Sequence, residues 1–245
     1  AHFKIIGDSV IQGWEEFENT RQFFCAEFSQ PFNKSGSFES GKVKDVTEIN
    51  GNGVGVFVEF TALGKPVEVR IGISYIDEIQ AAANLHKEMQ NKSFESIKDE
   101  SHKIWANELG KIKVGGGTER QKRIFYTSLY RTMERMVNIS EDGRYFSGYD
   151  RKIHNDEGRP FYVDDWLWDT YRSLHPLMLI LNPSQQADMV QSYVHMYEQN
   201  GWMPGFPQFY GDFPAMIGFH SAALIWDTYQ KGVTNFDVGK AYEGL

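Results

Sequence analysis

The chain has 245 residues, of which 41% are hydrophobic and 24% charged, a composition typical of folded proteins with one large or two modest cores. Its 33 acidic and 25 basic residues give a formal net charge of −8, which argues against nucleic acid as a partner. The single cysteine, Cys25, excludes an internal disulfide, and no apolar run reaches the about 18 residues of a transmembrane segment.

Residues 3–79 consist of short β-branched and aromatic segments separated by Gly, Asn and Pro, a pattern typical of the strands of a sandwich or barrel. Candidate strands cover residues 23–28, 53–61 and 66–74. In the last two, polar and apolar residues alternate, and the break between them contains Gly64 and Pro66, so the pattern predicts an antiparallel hairpin. Because these strands are too few to close a sandwich, we expect further strands to precede Ala1.

Helical periodicity replaces this pattern after residue 80. Apolar residues spaced by three, four and seven predict a helix with one buried face, formed by Phe94, Ile97, Ile104, Trp105, Leu109 and Ile112. The glycines 115–117 that follow lack the spacing of a phosphate-binding loop, and we interpret them as a hinge. Thr118 and Gln121 predict a capping box that begins a helix over residues 119–135.

The remaining sequence is dominated by helices joined by aromatic loops. Further helices are predicted over residues 164–181, 184–199 and 215–231, with another beginning at 237. We therefore predict a β-sandwich domain over residues 1–80, a helical linker over 81–117 and a helical bundle or α/α toroid over 118–245. The last helix is cut short at Leu245, so we expect the helical domain to continue.

The predicted helix over 164–181 has polar and aromatic residues that suit a sugar. Asp165, Asp169 and Arg172 are spaced i, i+4 and i+7 and would share one face, with Trp168 and His175 in an adjacent row. Carboxylates and a guanidinium bind vicinal hydroxyls, and an indole packs on the C–H face of a pyranose. A solvated charge row above a buried tryptophan explains the same spacing. Two carboxylates one turn apart do not flank a glycosidic bond from opposite sides, so they are not read as an acid and base pair.

A second candidate region follows it. The loop over residues 200–214 is rich in aromatics and contains three prolines, which is typical of a pocket lining, although ordinary loop packing explains it as well. His220 and Asp227, seven residues apart, would lie on one helix face and bind a sugar or each other, or His220 would be structural. The sequence contains no recognised metal-binding motif and no nucleophile elbow.

Several segments, in order along the chain, resemble glycoside hydrolase family 92. They are AEFSQPF (26–32), GGTERQKRIFYTSLYR (116–131), GRYFSGYD (143–150), LWDTYRSLHPL (167–177), NGWMP (200–204) and MIGFHSAALIWDTYQKG (216–232). The resemblance implies a secreted or periplasmic bacterial enzyme with an N-terminal β-sandwich, a helical linker and an (α/α)6 barrel. It implies a calcium-dependent, exo-acting, inverting α-mannosidase that hydrolyses terminal α-linked mannose of glycans such as N-glycans.

The resemblance also implies roles for individual residues. Trp168, Asp169 and Arg172 match the family's WDTxR motif, so Asp169 is expected to accept hydrogen bonds from mannose hydroxyls and Arg172 to orient the sugar. The candidate substrate-binding residues are Trp168, Asp169, Arg172, Trp202, His220 and Asp227. The resemblance places the catalytic acid, the base and most calcium ligands beyond Leu245, so neither catalytic nor metal-binding residues are assigned in this chain, which looks like the middle of such an enzyme.

Two alternatives to this function remain open at this stage. The same scaffold would also suit a non-catalytic mannoside-binding protein, because no acid and base pair is identified in the chain. Another carbohydrate enzyme built on an α/α toroid, such as a lyase or a phosphorylase, is the second alternative.

Overall fold

The computed structural model describes residues 1–61 and 64–245, which divide into two units, residues 1–99 and 100–245. Ala62 and Leu63, in the predicted connection between the strands over 53–61 and 66–74, lie outside the described residues. No helix in the described part of the chain combines the length and the hydrophobicity needed to cross a membrane.

The first unit is rich in strands, as the sequence predicted. They are β1 (His2–Ile6), β2 (Val10–Phe17), β3 (Thr20–Phe28), β4 (Lys34–Glu39), β5 (Lys42–Lys44), β6 (Glu48–Asn50), β7 (Val54–Glu59) and β8 (Val69–Ser74). One antiparallel sheet has the order β6-β1-β2-β3-β8, and a second has the order β5-β4-β7. β1 and β7 are in contact, so the two sheets meet within this unit.

The predicted hairpin between the strands over 53–61 and 66–74 is wrong. β7 pairs with β4, where Val54 lies opposite Glu39, whereas β8 pairs with β3, where Val69 lies opposite Phe28. Alternation of polar and apolar residues identifies a strand with one buried face, but it does not identify the strand's partner. The connection between β7 and β8 therefore passes from one sheet to the other.

A helix covers one face of the larger sheet. Helix α1 (Glu78–Met89) begins at Asp77, whose Oδ1 accepts a hydrogen bond from the Gln80 amide at 2.7 Å. Ala81 and Leu85 on this helix are buried against Cys25 of β3. Opposite Cys25 in the sheet, Gly72 has no side chain, and a Cβ built there would lie 2.2 Å from the Ala81 carbonyl oxygen. The absence of a side chain at residue 72 is what permits α1 to approach the sheet this closely.

Helices dominate the second unit, and α2 begins just before it. In chain order the elements are α2 (Phe94–Leu109), α3 (Glu119–Arg131), β9 (Val137–Asn138), β10 (Arg144–Ser147), β11 (Lys152–Asn155), β12 (Tyr162–Val163), α4 (Leu167–Thr170), α5 (Leu174–Leu181), α6 (Pro183–Asn200), β13 (Pro207–Gln208), β14 (Gly211–Asp212), α7 (His220–Gln230) and α8 (Val238–Glu243). The long helix α6 contacts α5, α7, α8 and β12, and its inner face is fully buried at Met189, Val190, Tyr193, Val194 and Met196.

The capping box predicted at Thr118 is confirmed, since the Thr118 and Gln121 side chains each bond the backbone of the other residue. Helix α7 begins five residues later than predicted. The apolar stripe predicted as the buried face of α2 is not fully buried at any position. Phe94 and Ile104 are 63% and 67% exposed, and the other four residues are half-buried, with the Trp105 ring 4.5 Å from that of Tyr130.

The single helix predicted over 164–181 is wrong as well. Three non-helical residues, 171–173, separate the short helix α4 from α5. Pro176 is the physical reason, because a proline in a helix interior removes a hydrogen bond and clashes with the preceding turn. As the third residue of α5, Pro176 occupies the first turn, where its missing N–H would have no partner within the helix.

We predict that Gly72→Ala lowers the free energy of unfolding of the first unit by about 1–3 kcal/mol, because the new Cβ forces α1 away from the sheet. Cys25, the chain's one cysteine, is buried under α1 and should then react faster with a thiol reagent. Both effects are measurable, by urea unfolding and by the rate of thiol labelling. Gly115→Ala is the control, since a Cβ there meets no atom within 4 Å. Unchanged protection of Cys25 in Gly72→Ala would contradict the assignment.

Candidate sugar-binding site

Asp165 does not share a face with Asp169 and Arg172, contrary to the sequence prediction. It precedes α4 and is 0% exposed, whereas Asp169 and Arg172 lie on the surface of the turn formed by residues 166–172. His175, predicted in a row with Trp168, points to Asp165 instead, and its Nε2 lies 2.9 Å from Asp165 Oδ2. The break before α5 separates the buried carboxylate from the two exposed charged groups.

A network of buried hydrogen bonds surrounds the Asp165 carboxylate. Thr170 Oγ1 donates to Asp165 Oδ1 at 2.7 Å, and the Tyr193 hydroxyl donates to Oδ2. On the far side of the imidazole, His175 Nδ1 lies 3.0 Å from Gln186 Oε1. Both ring nitrogens thus have an oxygen atom within hydrogen-bond distance.

Opposing effects act on the Asp165 carboxyl. Burial by itself raises its pKa, but attraction to His175 and hydrogen bonds from His175, Tyr193 and Thr170 outweigh burial and leave the pKa below its usual value. For Tyr193, burial together with the neighbouring Asp165 charge raises the pKa well above the usual value. Asp165 is therefore held as an inaccessible anion, unsuited to exchange protons with a bound substrate.

Asp169 and Arg172 provide the exposed charges of the turn. The Asp169 backbone amide donates to the Trp166 carbonyl at 2.8 Å, and its carboxylate faces outward. Arg172 Nε donates to the Tyr171 hydroxyl at 2.6 Å, and its guanidinium carbon lies 5.2 Å from the Tyr171 ring centre. The turn therefore presents a hydrogen-bond acceptor and a row of N–H donors three residues apart.

The same turn carries a pair of parallel indole rings. The rings of Trp166 and Trp168 lie 6.2 Å apart at an interplanar angle of 10°, and Phe206 meets both edge-on, at 90° and 87°. Phe206 belongs to the aromatic loop, where the Asp212 carboxylate accepts hydrogen bonds from the amides of Gly205 and Phe206. The loop over 200–214 thus contacts the turn through Phe206.

Sequence analysis singled out Trp168 but missed Trp166. Trp166 is 40% exposed, and the guanidinium of Arg135 lies 4.6 Å from its ring centre. Its place two residues before the WDTxR segment was the available signal. Trp202, which sequence analysis did select, is 77% exposed, and none of the ring contacts among the described residues includes it.

The structure brings only one of the two α7 candidates to the turn. The His220 imidazole stacks on the Tyr171 ring, with 4.4 Å between centroids and an angle of 12°. Asp227 is paired with Lys231 at 2.7 Å, which does not favour the alternative in which His220 and Asp227 bind each other. Spacing of seven residues puts two side chains on one helix face but does not make them touch.

No group of three or more His, Cys, Asp or Glu side chains in residues 1–61 and 64–245 is arranged to hold a metal ion. These residues therefore offer no such side-chain cluster for the calcium that the resemblance implies.

Comparison with known proteins gives a class of enzyme. A curated relative from Arthroderma benhamiae, described as an uncharacterized secreted glycosidase, is 26% identical over 207 residues, which are 78% of this chain and 21% of the relative. Two solved structures from Bacteroides thetaiotaomicron match 99% of the chain: a family 92 inverting mannosidase (28% identity, TM-score 0.91) and a family 92 α-mannosidase (26% identity, TM-score 0.92). The chain spans 34% of each of these structures. These relatives are all glycoside hydrolases.

Two family models define the family more closely. The glycosyl hydrolase family 92 N-terminal domain matches residues 1–74, and the catalytic domain of the same family matches residues 80–245. The chain belongs to glycoside hydrolase family 92.

We predict that acid removes the stabilisation due to Asp165. Because its pKa is lowered in the folded state, its contribution is complete above the unfolded value of about 3.9 and is lost as the pH falls toward the folded value. The difference in free energy of unfolding between wild type and Asp165→Asn should therefore be constant above about pH 5 and shrink as the pH falls below it. Urea unfolding followed by tryptophan fluorescence measures the free energy of unfolding of the second unit, since all tryptophans except Trp14 lie there.

Tyr193→Phe provides a second variant for this prediction. It removes one hydrogen bond that lowers the Asp165 pKa, so the stability lost in acid should be smaller than in wild type and the loss should be complete at a higher pH. A wild-type to Asp165→Asn difference that stays constant with pH would show that Asp165 is not held as an anion.

Proposed function

We propose that this chain is part of an exo-acting, inverting α-mannosidase that hydrolyses terminal α-linked mannose from glycans such as N-glycans. The observation that most supports the proposal is the turn itself, which carries exposed Asp169 and Arg172 together with the parallel rings of Trp166 and Trp168. Family membership and the mannosidase structures that match the chain support it further. Within this proposal, residues 1–80 belong to a β-sandwich, residues 81–117 to a linker and residues 118–245 to the first part of an (α/α)6 barrel.

The proposed work of this chain is binding and orientation of the sugar. The Asp169 carboxylate would accept hydrogen bonds from mannose hydroxyls, and the Arg172 guanidinium would donate to oxygen atoms of the same sugar. The exposed indole surface would pack on the C–H face of the pyranose, with Trp202 and His220 as further contacts. Asp227, paired with Lys231, would take part only by exchanging that partner for the substrate.

The proton transfers of hydrolysis are assigned outside this chain. Inverting glycosidases hold an acid and a base about 6.5–9.5 Å apart, on opposite sides of the scissile bond. Asp165 is buried, and Asp169 is the exposed carboxylate of the turn, so we propose that the acid and base, like the calcium ligands, come from sequence beyond Leu245. We also propose a secreted or periplasmic location, which the description of the curated relative as secreted supports.

The alternatives differ from this proposal in chemistry. A non-catalytic mannoside-binding protein would bind methyl α-mannoside without releasing mannose, and a lyase or phosphorylase would release a product of different mass. Calorimetry and mass analysis of products from the complete protein, with and without a calcium chelator, separate these alternatives.

We predict that Asp169→Ala weakens binding of methyl α-mannoside by about 10- to 100-fold, the cost of one hydrogen bond to a charged group. The fold should be unaffected, because the carboxylate is exposed. Ligand-observed NMR titration measures the affinity, and thermal unfolding checks the fold. Asp45→Ala, at an exposed aspartate of the first unit, is the matched control. Equal affinity of Asp169→Ala and wild type would remove Asp169 from the site.

A further inference from the structure

A network of hydrogen-bonded, buried polar side chains crosses the interior of the second unit. It runs from Thr170 through Asp165, His175 and Gln186 to Thr228, where Gln186 Nε2 donates to Thr228 Oγ1 at 3.4 Å. Each of these side chains is at most 9% exposed, and the network connects the turn with α5, α6 and α7. Removing polar groups from water is costly unless every one has a partner, so this network exists only in one arrangement of those elements.

Asp164 and Asp165, which precede the turn, both make contacts that hold its start in place. Consecutive carboxylates face opposite ways, because Asp165 points inward to His175 while Asp164 pairs with Arg135. Asp164 has φ = +65°, a left-handed conformation that is unfavourable for a residue with a side chain. The Asp165 amide also donates to the Pro207 carbonyl at 2.9 Å, which ties the turn to the aromatic loop.

The end of the turn depends on the same carboxylate. Helix α4 has four residues and is too short to be stable by itself. Asp165 Oδ1 accepts the hydrogen bond from Thr170 Oγ1, and Thr170 lies between Asp169 and Tyr171. Asp165 therefore holds the segment that presents Asp169 at both ends, through its amide at the start and through its carboxylate near the end.

We propose that Asp165, held by His175, is a positioning residue for sugar binding: through Thr170 it fixes the turn so that Asp169, Arg172 and the paired indoles face one sugar. This inference rests on the proposed function for its ligand. The ordinary alternative is a buried ion pair that stabilises the helical unit and has no specific effect on the turn.

Thr170→Val tests the link between the pair and the turn. It keeps the side-chain shape and the Asp165–His175 contact but removes the hydroxyl, which makes two hydrogen bonds, to Asp165 Oδ1 and to the Trp166 carbonyl at 3.2 Å. Thr170→Ser should restore both. Ser192→Ala is the matched control, because its buried hydroxyl also makes two hydrogen bonds, with the Tyr162 amide and the Asp188 carbonyl, away from the turn.

The expected result has two parts, both measured on the 245-residue chain. Thr170→Val should change the near-ultraviolet circular dichroism of the stacked Trp166–Trp168 pair and weaken methyl α-mannoside binding about tenfold or more, beyond any change in Ser192→Ala of similar melting temperature. Thr170→Ser should return both readouts toward wild type.

Other results would overturn the inference. A tryptophan signal in Thr170→Val and Asp165→Asn that is no more altered than in Ser192→Ala would leave the pair a purely structural element. If the wild-type chain shows no binding of methyl α-mannoside, the sugar-binding proposal fails for this chain, and the tryptophan signal, recorded without sugar, still decides whether Asp165 positions the turn.

Discussion

The buried contact between Asp165 and His175 is the interaction on which the helical unit most depends. Two ionisable groups at most 1% exposed are tolerated there because each oxygen and nitrogen has a partner. Removing one partner of such a pair typically costs about 3–5 kcal/mol, since the other charge is left buried and alone. The pair thus couples the position of the surface turn to the packing of α5 and α6. A shift of these helices would therefore move the turn, and a shift of the turn would disturb their packing.

The apolar core around the pair explains why a hydrogen-bond network is useful at this position. Methionine is flexible and fills irregular gaps, so a core containing many methionines specifies the positions of its helices loosely. Met178, Met189 and Met196 are buried in the second unit at 3% exposure or less. Hydrogen bonds require definite distances and directions, and the Asp165 network supplies the geometric precision that such a core lacks.

The sequence predicted the succession of strands and helices but not the contacts between them. Periodicity located β3, α3 and α6, and the Thr118 capping box is set by residues three apart in sequence. The partner of β8 could not be read, because alternation is the same whichever strand lies beside it. Helix α1 was not named either, since its inner face has little beyond Ala81 and Leu85 to mark it.

The sequence identified residues that the structure places together at the candidate site, but it did not predict their arrangement. Motif resemblance selected Trp168, Asp169 and Arg172, and the structure places all three on or beside one turn. Helical spacing grouped Asp165 with them wrongly, because Pro176 breaks the helix and burial of Asp165 depends on Tyr193, 28 residues away. Long-range partners of a carboxylate leave no periodic signal in the sequence.

Unequal exposure of the methionines has a practical consequence. Met216, in the segment before α7, is 46% exposed, whereas Met189 and Met196 are fully buried. A mild oxidant should convert Met216 to the sulfoxide in the folded chain, but it can reach the sulfurs of α6 only when the helices separate. Since a sulfoxide is too polar to return to an apolar interior, each such opening would become irreversible, and the pattern of oxidised methionines would record how often the helical unit opens.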